Sequence, residues 1–238
     1  MAGNVVLIMT DTQPRRMVGA YGDKTFDTPR LDQLAAEGIR FDRAYCASPL
    51  CTPARCALFS GLHPIIGGAW ANEMTPARGV PLMGEVLRRA GVRAGYTGKW
   101  HLDGGGYHGG GKADGGFEPD WWYDGNNYRH DLGESRFQQL VRAVTGSASP
   151  RRGVTRELAA AMRAHDAEAA LRAIGGREDE VWGHRVADRA VDFLERVGDE
   201  RFVLVVSFDE PHGPFVVPPP FASRWSVDDF APPANYAA

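Results

Sequence analysis

"FVLVVSFDEPH", residues 202 to 212, places a short apolar run directly ahead of two carboxylates and a histidine. A run this brief, continuous and rich in β-branched residues reads as a strand buried on both faces, over 202–208. Two other segments share the design. "NVVLIMT" (4–10) leads into Asp11, and "VRAGYTG" (92–98) leads into Lys99 and His101 of "GKWH". Helical segments separate them. Thr28-Pro29 opens "RLDQLAAE", which Gly38 closes with Leu31, Leu34 and Ala35 on one face. "LMGEVLRRAG" (82–91), the Ala- and Arg-rich 155–174 and the amphipathic 181–197 follow. "IRFDRAY" (39–45) alternates as a strand does; 102–116 is a glycine-rich irregular segment, and 117–130 ("FEPDWWYDGNNYRH") reads as an ordered loop. Helices alternating with wholly apolar strands predict an α/β fold: a mostly parallel central sheet with helices on both faces.

In an open parallel sheet, ligands bind beyond the carboxyl ends of the strands. The three strands above deliver Asp11, then Lys99 and His101, then Asp209, Glu210 and His212 to that edge. Each alone is the sort of residue that caps a loop. Together they point to an anion-handling metal site.

Composition narrows the classes of function. The 238 residues have a net charge of −3, which gives no basic footprint for nucleic acid. No apolar run is long enough to span a bilayer. "MAGNVVLIMTD" has no basic leader region and no cleavage site, so a cytoplasmic protein is expected, although a leader already removed would leave the same start. Cys46, Cys51 and Cys56, evenly spaced and odd in number, match neither a disulfide framework nor a zinc pattern.

Cys51 stands in "CTPARCALFSG" (51–61), where Pro53 suits a first helical turn and Gly61 a helix stop. That puts the thiol just ahead of a helix N-terminus, whose partial positive charge favours an anion. The alternative is a buried structural cysteine. Rival motifs fail: "YTGKW" lacks the first glycine and the Ser/Thr of a P-loop, and Gly104, Gly106 and Gly109 neither follow a strand nor open a helix.

Cys51-Thr52-Pro53-Ala54-Arg55, continued by Leu58, Ser60 and Gly61, resembles the signature of the sulfatases, within the alkaline-phosphatase-like superfamily. "NVVLIMTD", "TPRLDQLAAEGIRFDRAY", "GYTGKWHL" and "EPHGPF" resemble further blocks of that family, in its order. The resemblance implies that a maturation enzyme oxidises Cys51 to formylglycine, reading Pro53 and Arg55. The hydrated aldehyde would attack the sulfur of a sulfate ester, and a divalent metal, calcium first and manganese second, would be held by Asp11 and residue 51. Arg55 and Lys99 would oppose the charge of the transferred group. His101 would help deprotonate the diol, and His212 would protonate the departing alcohol.

Two departures stand out. Asp11 is followed by Thr12 and Gln13 where many sulfatases pair aspartates, and the chain ends at "APPANYAA" before the family's later metal pair and lysine. Residues 1–238 are therefore expected to be the amino-terminal part of a longer catalytic domain, inactive alone, with its cationic residues short of opposing charge. Trp121, Trp122, Arg129 and His130, with Tyr123 and Tyr128, are candidates for a substrate wall, or else for a packed loop. His63, His108, His165 and His184 are assigned to structure or surface. The substrate expected is an aryl or carbohydrate sulfate. The rivals are a phosphonate monoester or phosphodiester hydrolase and a catalytically dead fragment.

Overall fold

The structure is a computed structural model that describes residues 3–22, 25–145, 155–164 and 166–218, with isolated positions 221, 224 and 229. His165, assigned above to structure or surface, and most of residues 219–238 lie outside the described residues. Four strands form a wholly parallel sheet in the order β1-β4-β2-β3: β1 (Val5–Met9), β2 (Arg93–Gly98), β3 (Trp122–Tyr123) and β4 (Phe202–Ser207). The helices are α1 (Pro29–Glu37), α2 (Cys51–Ser60), α3 (Pro64–Gly67), α4 (Met83–Arg89), α5 (Gly125–Leu132), α6 (Glu134–Thr145), α7 (Arg156–Arg163), α8 (Ala167–Ala173) and α9 (Trp182–Arg196).

Side chains alternate across a strand, and each face has its own core. Ala94, Tyr96 and Val205 pack with Phe59 of α2, Leu82 and Trp100. Leu204 and Val206 face the other way, onto Val186, Ala190 and Phe193 of α9. Both faces of β2 and β4 are thus covered by helices, as the apolar runs predict. β1 differs. Its Leu7 and Met9 join the first core, whereas Val6 and Ile8, 43% and 60% exposed, have no helix over them among the described residues.

The helix at 29–37 forms as expected, but its apolar face meets no core: Leu34 is 65% exposed, and α1 buries no residue. Residues 39–45 are not a strand. Two of their backbone carbonyls are taken by side chains of the preceding segment, Tyr21 donating to Phe41 O at 2.9 Å and Arg15 to Asp42 O at 3.1 Å. Their apolar residues Ile39, Phe41 and Tyr45 stay exposed. The expected loop at 117–130 contains β3 and α5, the helix starting where Asp124 accepts from the N–H groups of Asn126 and Asn127, both at 3.0 Å. The expected long helix over 155–174 is two, because Asp166 caps a new start by accepting from Ala169 N at 2.8 Å.

Gly98 ends β2 where the backbone turns with φ +109°, and a Cβ there would lie 1.9 Å from Ser207 O of β4. Gly98→Ala should therefore destabilise the protein by more than about 3 kcal/mol, lowering Tm by roughly 10 °C. Gly79→Ala, with φ +87° but no neighbour within 4 Å, should cost only about 1–2 kcal/mol. Thermal unfolding of both variants, followed by circular dichroism, checks the contrast.

Candidate active site

Because β1, β4 and β2 are adjacent and parallel, the residues that follow them meet at one edge. Asp11, Lys99 and Asp209 come from those three strand ends, and α2 brings Cys51 and Arg55 to the same place. Cys51 is the first residue of α2, one position further in than the sequence suggests, with Leu50 as an extended N-cap. No side chain caps this turn at Leu50; instead Asn72 Oδ1 accepts from Thr52 N at 3.1 Å. Gly61 closes the helix in the left-handed conformation, φ +70°.

"GKWH" is divided between site and core. Trp100 is buried against Phe59, Tyr96 and Trp122, its indole donating to Asp114 Oδ2 at 2.9 Å. Lys99, with no exposed surface, turns the other way. Its Nζ lies 2.7 Å from Asp11 Oδ2, 3.0 Å from Asp209 Oδ1 and 3.8 Å from Cys51 Sγ. Arg55, also buried, sets one nitrogen 3.5 Å from Asp11 Oδ2 and donates with another to Ser207 Oγ at 2.9 Å and Lys99 O at 2.5 Å. Two carboxylates thus face two cations. Asp209, which the sequence placed at this edge without naming its partner, pairs with Lys99.

Burial pushes the Asp11 carboxyl up, but the hydrogen bond and charge of Lys99, with the charges of Arg55 and His212, outweigh it and hold the carboxyl below its usual range. Cys51 moves the other way. Burial raises its thiol, Lys99 opposes this, and Asp11, 3.9 Å from the sulfur, raises it further. The helix start and the nearby lysine do not make this cysteine a thiolate.

His101 is buried beside the site. Its Nε2 lies 2.9 Å from Glu73 Oε1, its Nδ1 has no partner among the described residues, and its ring stands edge-on to Tyr107. His101 O accepts from Thr52 Oγ1 at 3.0 Å, which ties it to the residue after Cys51. Among the described residues, the non-glycine positions with positive φ are Thr12 (60°), Glu73 (65°) and His101 (59°). Thr12 lines the Cys51 cleft, and the other two contact each other beside it. Strain of this kind persists where the surrounding structure imposes it, most often at functional sites.

His212 lines the cleft with Asp11 and Cys51, and one ligand atom from each of the three lies within 4.8 Å of the others. The cleft has a volume of about 960 Å³. The proposed substrate wall is elsewhere. Trp122 stacks on Tyr96 at 5.0 Å, Trp121 stands edge-on to Phe193, Arg129 pairs with Glu134 at 2.8 Å, and His130 is exposed on α5. Apolar packing against the two cores claims these tryptophans, so they are core-packing residues and do not line the cleft. His108 is half-buried between Phe137 and Trp182, its imidazole pushed down by burial, while His63 and His184 reach the surface. Tyr107, Asn72 and Glu73 were not singled out in the sequence. An aromatic residue isolated within "GGGYHGGG" was the available signal for Tyr107.

The profile of the family described as Sulfatase matches residues 3–234. The chain belongs to the sulfatase family. The uncharacterized sulfatase YidJ of Escherichia coli (strain K12) is 39% identical over 225 residues, covering 94% of this chain and 41% of that protein. Arylsulfatase A of Homo sapiens is 42% identical over 105 residues, 42% of this chain and 21% of that one. In fold, the crystal structure of a phosphonate monoester hydrolase of Agrobacterium radiobacter matches with a TM-score of 0.64 at 20% identity, covering 93% of this chain and 43% of the other. This sulfatase chain thus spans under half the length of these relatives, within the alkaline-phosphatase-like fold.

Asp11 raises the Cys51 thiol, so removing its charge should lower it. In protein made without maturation machinery, Asp11→Asn should increase the iodoacetamide rate at Cys51 several-fold near neutral pH. An unchanged rate–pH profile would contradict the electrostatic assignment.

Proposed function

We propose that this chain carries the nucleophile-bearing part of a sulfate-ester hydrolase, acting on an aryl or carbohydrate sulfate after Cys51 has become formylglycine. The observation behind it is the placing of Cys51: it starts α2 next to Lys99, Asp11 and Arg55, yet its thiol is pushed up and is a poor nucleophile as it stands. Conversion by a maturation enzyme with an external oxidant removes that obstacle. Formylglycine, hydrated, supplies one hydroxyl to attack sulfur and a second whose deprotonation lets the aldehyde re-form and sulfate leave.

The remaining residues have separable tasks. Lys99 and the outer nitrogen of Arg55 hold fixed positive charge where a sulfate would sit, and being buried they need little reorganisation. His101, braced by Glu73, takes a proton from the diol, and His212 gives one to the leaving alcohol. Asp11 and the diol oxygens of residue 51 are hard oxygen donors that suit calcium, or manganese. Such an ion would lower the diol pKa and offset charge on the sulfate. Calcium takes roughly six to eight oxygens, so the later part of a full-length sulfatase would supply further ligands. No described helix is long and apolar enough to cross a membrane.

The second reading is phosphonate monoester or phosphodiester hydrolysis. It is favoured by Thr12, which stands in a strained backbone after Asp11 where many sulfatases place a second carboxylate. Paired sulfate and phosphonate esters of one leaving group distinguish the two.

Mass spectrometry of protein made with active maturation machinery should find the aldehyde at Cys51 and at neither Cys46 nor Cys56. Intact thiol at Cys51 refutes the mechanism. In full-length protein, Asp11→Ala should lower bound metal and reduce turnover by more than about a hundredfold; full metal content with a normal rate removes Asp11 from the ligand set. Residues 1–238 purified alone should bind calcium weakly and leave an activated aryl sulfate unhydrolysed, and adding the remaining polypeptide should restore both. Turnover by the isolated chain would show that its site is complete.

A further inference from the structure

We infer that Tyr107 is a positioning residue for His212, holding the imidazole so that Nδ1 carries a fixed proton and Nε2 is the nitrogen that exchanges one with the leaving alcohol. The inference rests on the hydrolase reading for its catalytic consequence, though not for its geometry. Asp209 Oδ1 accepts from Lys99 Nζ at 3.0 Å, so this oxygen is an acceptor at the site. Tyr107 Oη lies 2.5 Å from the same oxygen, so the phenol must donate to it. A phenol has one hydrogen. Toward His212 Nδ1, 2.8 Å away, Tyr107 can therefore only accept. Gly213 O, 2.7 Å from Nδ1, can only accept as well.

Two acceptors on one ring nitrogen require an N–H there, which leaves Nε2 as the free position. When His212 acts as an acid, the Nε2–H bond breaks and an O–H bond forms on the alcohol, and Nδ1–H stays bonded to Tyr107 and Gly213. Burial, then the hydrogen bond and charge of Asp209, push the Tyr107 phenol upward, so it keeps its proton. Lys99 Nζ lies 4.0 Å from the centre of the Tyr107 ring and holds it in place. One lysine thus orients the carboxylate, the phenol and, through them, the histidine.

Tyr107→Phe keeps the ring beneath Lys99 and removes only the hydroxyl. The first test needs no turnover. Nitrogen-15 spectra of histidine-labelled protein, with the His212 signals assigned by their loss in His212→Asn, should show Nδ1–H in the wild type and, with Gly213 O left as the single acceptor, a smaller Nδ1–H fraction in Tyr107→Phe. An Nε2–H tautomer in the wild type, or the same Nδ1–H fraction in both proteins, overturns the inference. The second test uses full-length, matured protein. Tyr107→Phe should reduce kcat at least about tenfold for alkyl or saccharide sulfates, whose leaving groups need a proton, and less than about threefold for 4-nitrophenyl sulfate, at unchanged KM. Equal losses on both would mean a merely structural role and overturn the proposal. A wild-type protein that hydrolyses no sulfate ester refutes the hydrolase reading, while the spectra still decide the role of Tyr107.

Discussion

An ammonium group with no exposed surface, held between Asp11 and Asp209, is the interaction on which the rest of the site depends. Burying a charge is costly unless it is paired, and a pair stripped of one partner leaves the other stranded. Lys99 meets that demand with carboxylates from the ends of two different strands, while its own backbone N–H donates to Ser207 O at 2.9 Å. The ends of β1, β2 and β4 are thereby tied to one point. Arg55 adds α2 to the knot, reaching Asp11, Ser207 and Lys99 O from a buried position. Any shift of one strand end would disturb two ion pairs and several buried hydrogen bonds at once.

The sheet can serve this cluster because its two faces are filled independently. Tyr96 and Trp100 anchor the α2 side, with Phe59 and Phe117 edge-on to them or tilted, and Phe193 anchors the α9 side. Such aromatic contacts fix geometry beyond the area they bury. The order of "GKWH" joins the two tasks: one side chain enters the site, the next the core, and His101 takes a left-handed backbone to remain beside Tyr107 and Glu73. The uncovered Val6 and Ile8 of β1 and the bare apolar face of α1 show where the layering stops in this chain, which covers 41% of its YidJ relative.

The strands, the parallel sheet and the gathering of Asp11, Lys99, Asp209 and His212 at one edge were legible, because short continuous apolar runs have few other ways to be buried; Glu210 instead accepts from Gly183 N of α9 at 2.9 Å. Cys51 was legible through Pro53 and Gly61, which match a helix start and stop, and through Arg55, which completes the resemblance to the sulfatase signature. The misread segments share a cause. "IRFDRAY" has the alternation of a strand, but a strand also needs a partner edge, and two of its carbonyls bond to side chains instead. Trp121 and Trp122 have the composition of a binding wall, but large rings are also what a core needs. Composition cannot tell which of the two a given tryptophan joins.

The amino-acid sequence by itself determined the fold class, the family and the identity of most charged groups at the strand ends, since these follow from local pattern and spacing. Tertiary structure alone decided how the charges pair. That Asp209 balances Lys99, that Asp11 raises the Cys51 thiol, and that Tyr107 turns from a glycine-rich loop to hydrogen-bond with Asp209 and His212 are facts of distance between residues as much as 110 positions apart. Coulombic and hydrogen-bond energies depend on separations of a few ångströms and on burial, and neither is encoded in the neighbours along the chain.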